Sequence, residues 1–377
     1  VPSLFEAVRA RDIDAVRRLL ADGANPRLDD GRETPLHAAA RVGPLALVEA
    51  LIEGGALEWQ TDRQGRTPLD VARRGRARER AAIVALLDRS AIEDPSFRAA
   101  VDAIHAGDVA VLGRLLDAEP RLLRDRIVGP DVYRRAPRRW YFTDPKLFWF
   151  VANNPTFVER MPSNMADVAQ VMIARGVGHA DLDYALGLTM TSSAAREHEQ
   201  QLPLLRALLA AGASAGRDAI VTAAAHRELD ALRALLAGGQ PLTVLLAAAL
   251  DAGELRELLR TASRDDVQTG FGLAVINQHA QAARLALDAG ADVDAFLPVH
   301  AHSTALHQAA LGDDVALIEL LLERGVRTDQ RDTLWDGTPL DWAIHEGRAA
   351  ARAVLERRDA RDALSSNPET PAFGETR

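Results

Sequence analysis

Residues 34–56 read "TPLHAAARVGPLALVEALIEGGA" and hold one complete structural unit. Thr34 suits a helix N-cap, its hydroxyl able to accept from an orphan backbone N–H. Pro35 suits the first helical position, where a missing N–H costs nothing. Leu36, Ala39 and Ala40 offer small or apolar groups to a neighbour. A second helix carries Leu45, Leu47, Val48, Leu51 and Ile52 at helical spacing. Gly55 ends it, free to take the left-handed conformation. One such pair cannot bury its own apolar face, so it must stack on others like itself.

Such neighbours exist. "TPLDVARRG" begins at Thr67, 33 residues after Thr34. "TALHQAALGDDVALIELLLERGV" begins at Thr304 and "TPLDWAIHEG" at Thr338, 34 residues on. With this period and the T-P-L-H signature, the sequence resembles the ankyrin-repeat family. The signature is intact at 34–37 and lightly altered at 67, 304 and 338; its rhythm recurs without it at 4–24, 202–213 and 271–291. The resemblance implies an all-α fold, a curved solenoid of about eleven helix–turn–helix repeats of ~33 residues with one long insertion. We read 1–92 as N-terminal repeats with a wet, arginine-rich cap, and 93–300 as divergent repeats. Residues 301–364 are the C-terminal repeats and cap, and 365–377 a disordered tail. The divergent middle resembles ankyrin proteins of bacteria, with a separate α-helical domain as the alternative reading.

Composition narrows the function classes. The chain has 377 residues and no cysteine, which removes disulfides, thiolate catalysis and cysteine-based zinc sites. Its net charge of -9 makes nucleic acid and anionic lipid poor partners. The aliphatic run "LTVLLAAAL" (242–250) is too short for a membrane span. Arg9 and Asp12 stand where a signal peptide would keep apolar residues, so a cytoplasmic location is expected.

Motifs for chemistry are weak. "GASAG" (212–216) matches G-x-S-x-G around Ser214, but a helix precedes it where a nucleophile elbow needs a strand. His198 begins a zinc-protease pattern whose second histidine is replaced by Leu202. Asp181 and Asp183 are two apart, which does not place both on one helix face. His300, His302 and His307 fall within "VHAHSTALHQAA" (299–310) and invite a metal reading. Against it, residues two apart in an extended loop point opposite ways, so His300 and His302 are expected to diverge and to be exposed. His307 occupies the place of His37 in the motif, and the family uses that histidine to bond backbone in the neighbouring loop. No catalytic residue, cofactor or metal is therefore assigned.

The reading that remains is a scaffold that binds another protein. The segment 121–150 breaks the rhythm with Pro130, Pro137 and Pro145. Within its 128–145 insertion, Arg134, Arg135, Arg138 and Arg139 flank Tyr133, Trp140, Tyr141 and Phe142, a composition suited to a partner with an acidic patch. Trp140, Phe142, Phe148, Trp149 and Phe150 can also anchor this segment on the stack, with the arginines merely solvating it. In the ankyrin family, finger tips and first-helix surfaces line the concave groove where partners sit. By that resemblance Arg41, Arg63, Arg66, His300, His302, Trp335 and His345 would line it, while Trp342 would fill the core. The alternative is an enzyme or small-ligand binder with the insertion as a lid.

Overall fold

A computed structural model describes residues 3–58, 60–88, 92, 94–127, 142, 144–154 and 161–365. Among them it is helical, with isolated bridges at Arg126–Lys146 and Phe296–Thr304 and no strand. The chain divides into two units, Val1–Ala213 and Ser214–Arg377. No described helix is long and apolar enough to cross a membrane.

The first unit opens with three antiparallel helix pairs: α1 (Leu4–Ala10) with α2 (Ile13–Ala21), α3 (Pro35–Val42) with α4 (Leu45–Glu53), and α5 (Pro68–Arg74) with α6 (Arg80–Leu87). Asp12 caps α2 by accepting from the Ala15 N–H at 2.9 Å. Gly55, at φ 94°, lets the chain leave α4 while the Ala56 N–H bonds the Leu51 carbonyl at 2.9 Å. Leu36, Leu47, Val48 and Leu51 are fully buried in one core with Leu4, Ile83 and Leu87. Each buried leucine contributes about 1.5–3 kcal/mol relative to an exposed one.

The same unit continues through α7 (Pro95–Ala106), α8 (Val109–Ala118), α9 (Met165–Ile173), α10 (His179–Met190), α11 (Ser193–Glu197) and α12 (Gln201–Ala210). Among the described residues, two 3-10 segments, Pro120–Leu123 and Leu147–Ala152, lie between α8 and α9. All six residues of the second are buried. The second unit holds α13 (Arg217–Ala225), α14 (Leu229–Ala237), α15 (Val244–Leu250), α16 (Leu255–Leu258), α17 (Arg264–Ile276), α18 (Ala280–Asp288), α19 (Ala305–Leu311), α20 (Val315–Glu323), α21 (Pro339–His345) and α22 (Ala349–Ser365). Its core gathers Phe271, Leu306, Ile318, Leu321, Ala343 and Leu355.

The motif threonines cap their helices in two chemistries. Thr67 and Thr338 form boxes with Asp70 and Asp341: each carboxylate accepts from the threonine N–H (3.0 and 2.9 Å) and hydroxyl (2.8 and 2.9 Å). At Thr34 and Thr304 a histidine stands there instead. The Thr34 hydroxyl, expected to accept from a backbone N–H, lies 2.7 Å from His37 Nδ1, and the Thr34 N–H is 3.3 Å from it. Nδ1 therefore accepts, and Nε2 carries the proton that bonds the Arg66 carbonyl at 2.8 Å. His307 repeats this with Thr304 and with the Gly337 carbonyl at 3.0 Å.

Candidate functional site

The segment from Arg327 to Gly337 enters α21 as a finger organised by one carboxylate. Asp332, 3% exposed, accepts from the Leu334 and Trp335 N–H groups on Oδ1 (2.8 and 2.7 Å). Its Oδ2 accepts from the Gly337 N–H and the Trp342 indole N–H, both at 2.9 Å. Burial pushes this carboxyl up, but those four donors outweigh it and hold the group below its ordinary value. A Cβ at Gly337 would sit 3.2 Å from both Asp332 Oδ2 and the Trp342 ring, so the glycine admits the carboxylate.

This bonding sorts the two tryptophans. Trp342 is buried, as expected of a core residue, and Trp335 is 68% exposed beside Leu334 at 62%. Ile344 and His345 are exposed on α21. His302 is half-buried, not exposed as expected. Its ring stacks on Trp342 (6.0 Å, 27°) and meets Trp335 edge-on (5.6 Å, 88°), and its carbonyl accepts from the Thr333 N–H at 2.9 Å. Burial first, then the neighbouring His300, lowers its pKa. The expected divergence of His300 and His302 does not occur. His300 adopts φ 57° in a turn closed by the Ser303 N–H, and the rings lie 5.9 Å apart. His307 has both ring nitrogens engaged, and among the described residues no three metal-ligating side chains converge.

The N-terminal candidates form a second, smaller finger. Asp62 accepts from the Gln64 and Arg66 N–H groups (2.8 and 3.0 Å) and from the Arg66 guanidinium at 2.8 and 2.6 Å. Burial opposes ionisation there, but the Arg66 bonds prevail and hold the carboxyl at about 2. Arg66 is thus half-buried and committed to its own finger. Arg41 pairs with Glu33, and Arg63 is exposed, its N–H bonding the Arg32 carbonyl at 2.9 Å.

Arg134, Arg135, Arg138 and Arg139 lie outside the described residues, as do Tyr133, Trp140 and Tyr141. The stems of their segment are described. The Ile127 N–H bonds the Pro145 carbonyl at 3.0 Å. Phe142, Phe148 and Phe150 are buried, and the Trp149 indole and Lys146 ammonium both bond the buried Asp181 (3.1 and 2.6 Å). These aromatics are anchors. A hollow of about 260 Å³ beside them is lined by Asp94, Phe97, Arg121 and Arg126, below the ~300–1,000 Å³ of ordinary ligand sites.

Sequence reasoning missed Asp332 and Asp62. The signal was available: an aspartate stands five or six residues before the motif threonine in each finger.

Comparison with known proteins agrees with the geometry. A family model described as ankyrin repeats in three copies matches residues 4–94, and a single ankyrin-repeat model matches 302–333. The potassium channel KOR1 of Oryza sativa subsp. japonica is 44% identical over 72 residues, 19% of this chain and 8% of the channel. Ankyrin repeat and SOCS box protein 11 of Danio rerio is 41% identical over 69 residues, 18% of this chain and 24% of that protein. The ARF GTPase-activating protein Git of Drosophila melanogaster is 38% identical over 72 residues, 19% of this chain and 10% of Git. The match therefore covers less than a quarter of each of these relatives.

Proposed function

The chain belongs to the ankyrin-repeat family, and from that premise we propose that it binds another protein through the finger at 327–337 and the adjoining α21 surface. The observation that carries this is the exposure of Leu334 and Trp335 on a tip whose backbone is held by Asp332. An exposed indole on a pre-ordered backbone loses little conformational freedom on binding and buries a large area, which is the character of an interface anchor. His302 supports the ring edge-on, and Ile344 and His345 extend the surface. At the N-terminal finger, Arg63 is the more available arginine, since Arg66 and Arg41 already hold carboxylates.

The test is capture from extract of the native host, followed by mass spectrometry, with the wild type and Trp335→Ser. We expect at least one partner whose capture falls tenfold or more, about 1.4 kcal/mol, in the variant. Identical capture by both proteins would move the site elsewhere. Arg138→Glu with Arg139→Glu, run alongside, tests the insertion arginines, which enter this proposal on their sequence alone and on the expectation of an acidic partner patch.

A further inference from the structure

The turn between α5 and α6 differs from its counterparts. Two residues join α1 to α2 and α3 to α4, and three join α19 to α20, whereas Gly75–Glu79 spans five. The longer turn and its flanks read "RRGRARER", residues 73–80, and Arg73, Arg74, Arg76, Arg78 and Arg80 are all exposed. Arg73 has Asp88 at 3.4 Å, while Arg74, Arg76, Arg78 and Arg80 form no ion pair with a described residue. Glu79, the one acid within the turn, is turned away to the Leu45 N–H at 3.0 Å.

This is a held platform. The Arg76 N–H bonds the Arg41 carbonyl at 3.0 Å, the Gly75 N–H bonds the Ala72 carbonyl at 3.0 Å, and Ala77 is buried between Arg76 and Arg78. A Cβ at Gly75 would come within 2.7 Å of the Arg41 carbonyl oxygen, so the glycine seats the turn on the preceding repeat. Like charges fixed close together repel, and folding gains nothing from four unpaired guanidinium groups on a chain of net charge -9. Guanidinium forks fit carboxylates bidentately.

We infer that the 73–80 turn is a docking site for an acidic peptide segment of a partner protein. It goes beyond the reading given to the Trp335 finger, because it uses different residues and different chemistry. A peptide is favoured over nucleic acid for two reasons. The patch spans a single turn, and the net negative charge of the chain opposes a long polyanion.

The probe is a fluorescein-labelled hexaglutamate peptide, read by anisotropy on the full chain in low salt. A Gly-Ser peptide and a hexathymidylate of similar charge serve as controls. We expect saturable hexaglutamate binding that weakens at least tenfold in Arg76→Glu/Arg78→Glu. It should be retained in Arg17→Glu/Arg18→Glu, which makes the same charge change on exposed residues of α2. Circular dichroism melts of both variants check that the fold is intact, and Arg76→Gln/Arg78→Gln, with a smaller loss, covers the case in which the first variant unfolds. Absent binding, or equal loss in the α2 variant, overturns the site. Tighter binding of hexathymidylate with the same dependence on Arg76 and Arg78 overturns the choice of a peptide. Trp335→Ser should bind hexaglutamate normally, which separates failure here from failure of the finger proposal.

Discussion

The fingers before Thr67 and before Thr338 share one plan and spend it differently. In both, a buried aspartate gathers backbone N–H groups, and a motif histidine of the preceding repeat bonds the finger's last carbonyl, Arg66 or Gly337. The first finger gives its second carboxylate oxygen to Arg66 within the same finger. The second gives it to Trp342 of the following helix, and one added residue lets Leu334 and Trp335 stand outside. A self-contained finger is closed on itself, whereas one braced from behind can present apolar side chains without collapsing around them.

The largest test of that contrast is Trp342→Ala. Removing a buried indole should cost about 3–5 kcal/mol, read from chemical denaturation of the full chain. A loss no greater than that of an exposed residue would mean that Asp332 does not need its brace.

Next come His37→Ala and His307→Ala, each expected to cost about 1–3 kcal/mol through a lost buried hydrogen bond. Similar losses would confirm that the two fingers share this half of their plan. Acid should act in the same direction. Burial lowers the pKa of both histidines, so below about pH 6.5 the unfolded chain takes up the protons the folded chain refuses. Their contribution is present above that pH and is lost as pH falls below it. The alanine variants should show a flatter stability profile as pH falls below about 6.5.

A smaller effect is expected of Asp62→Asn, about 1 kcal/mol, the difference between charge-assisted and neutral hydrogen bonds. Because the Arg66 bonds hold Asp62 at about 2, its contribution is complete above the ordinary carboxylate value and fades as pH falls toward 2. The variant should therefore converge on the wild type at low pH. Persistence of the full difference in acid would detach the effect from ionisation. Trp335→Ala should change stability least, within about 0.5 kcal/mol, since the ring is exposed. A larger loss would make Trp335 part of the fold and remove it as a binding anchor.

Much of this was legible along the chain. Threonine, proline and the 33- or 34-residue period located α3, α5, α19 and α21, because caps and apolar spacing are local properties. The burial of Trp342 followed from its place in the motif. The stacking of His302 on Trp342 did not, because it joins residues 40 apart, one in the loop before α19 and one on α21. The Lys146–Asp181 bond, spanning 35 residues, was hidden for the same reason. The arginines at 73–80 were visible in sequence, but that Arg74, Arg76, Arg78 and Arg80 have no ion-pair partner among the described residues is known only from the placement of Asp88 and Glu79.

The alternation of histidine and aspartate three residues after the motif threonine works as punctuation. His37 and His307 reach a carbonyl 29 and 30 residues further on, so each needs a finger to follow. Asp70 and Asp341 bond only their own threonine and ask nothing of what comes next. After Asp70 the chain runs through the arginine turn and α6 into the long α7, and after Asp341 it runs into α22. A histidine there is a comma and an aspartate a full stop. A chimera that splices foreign repeats into this chain should join most cleanly after an aspartate, where no bond is left waiting for the next clause.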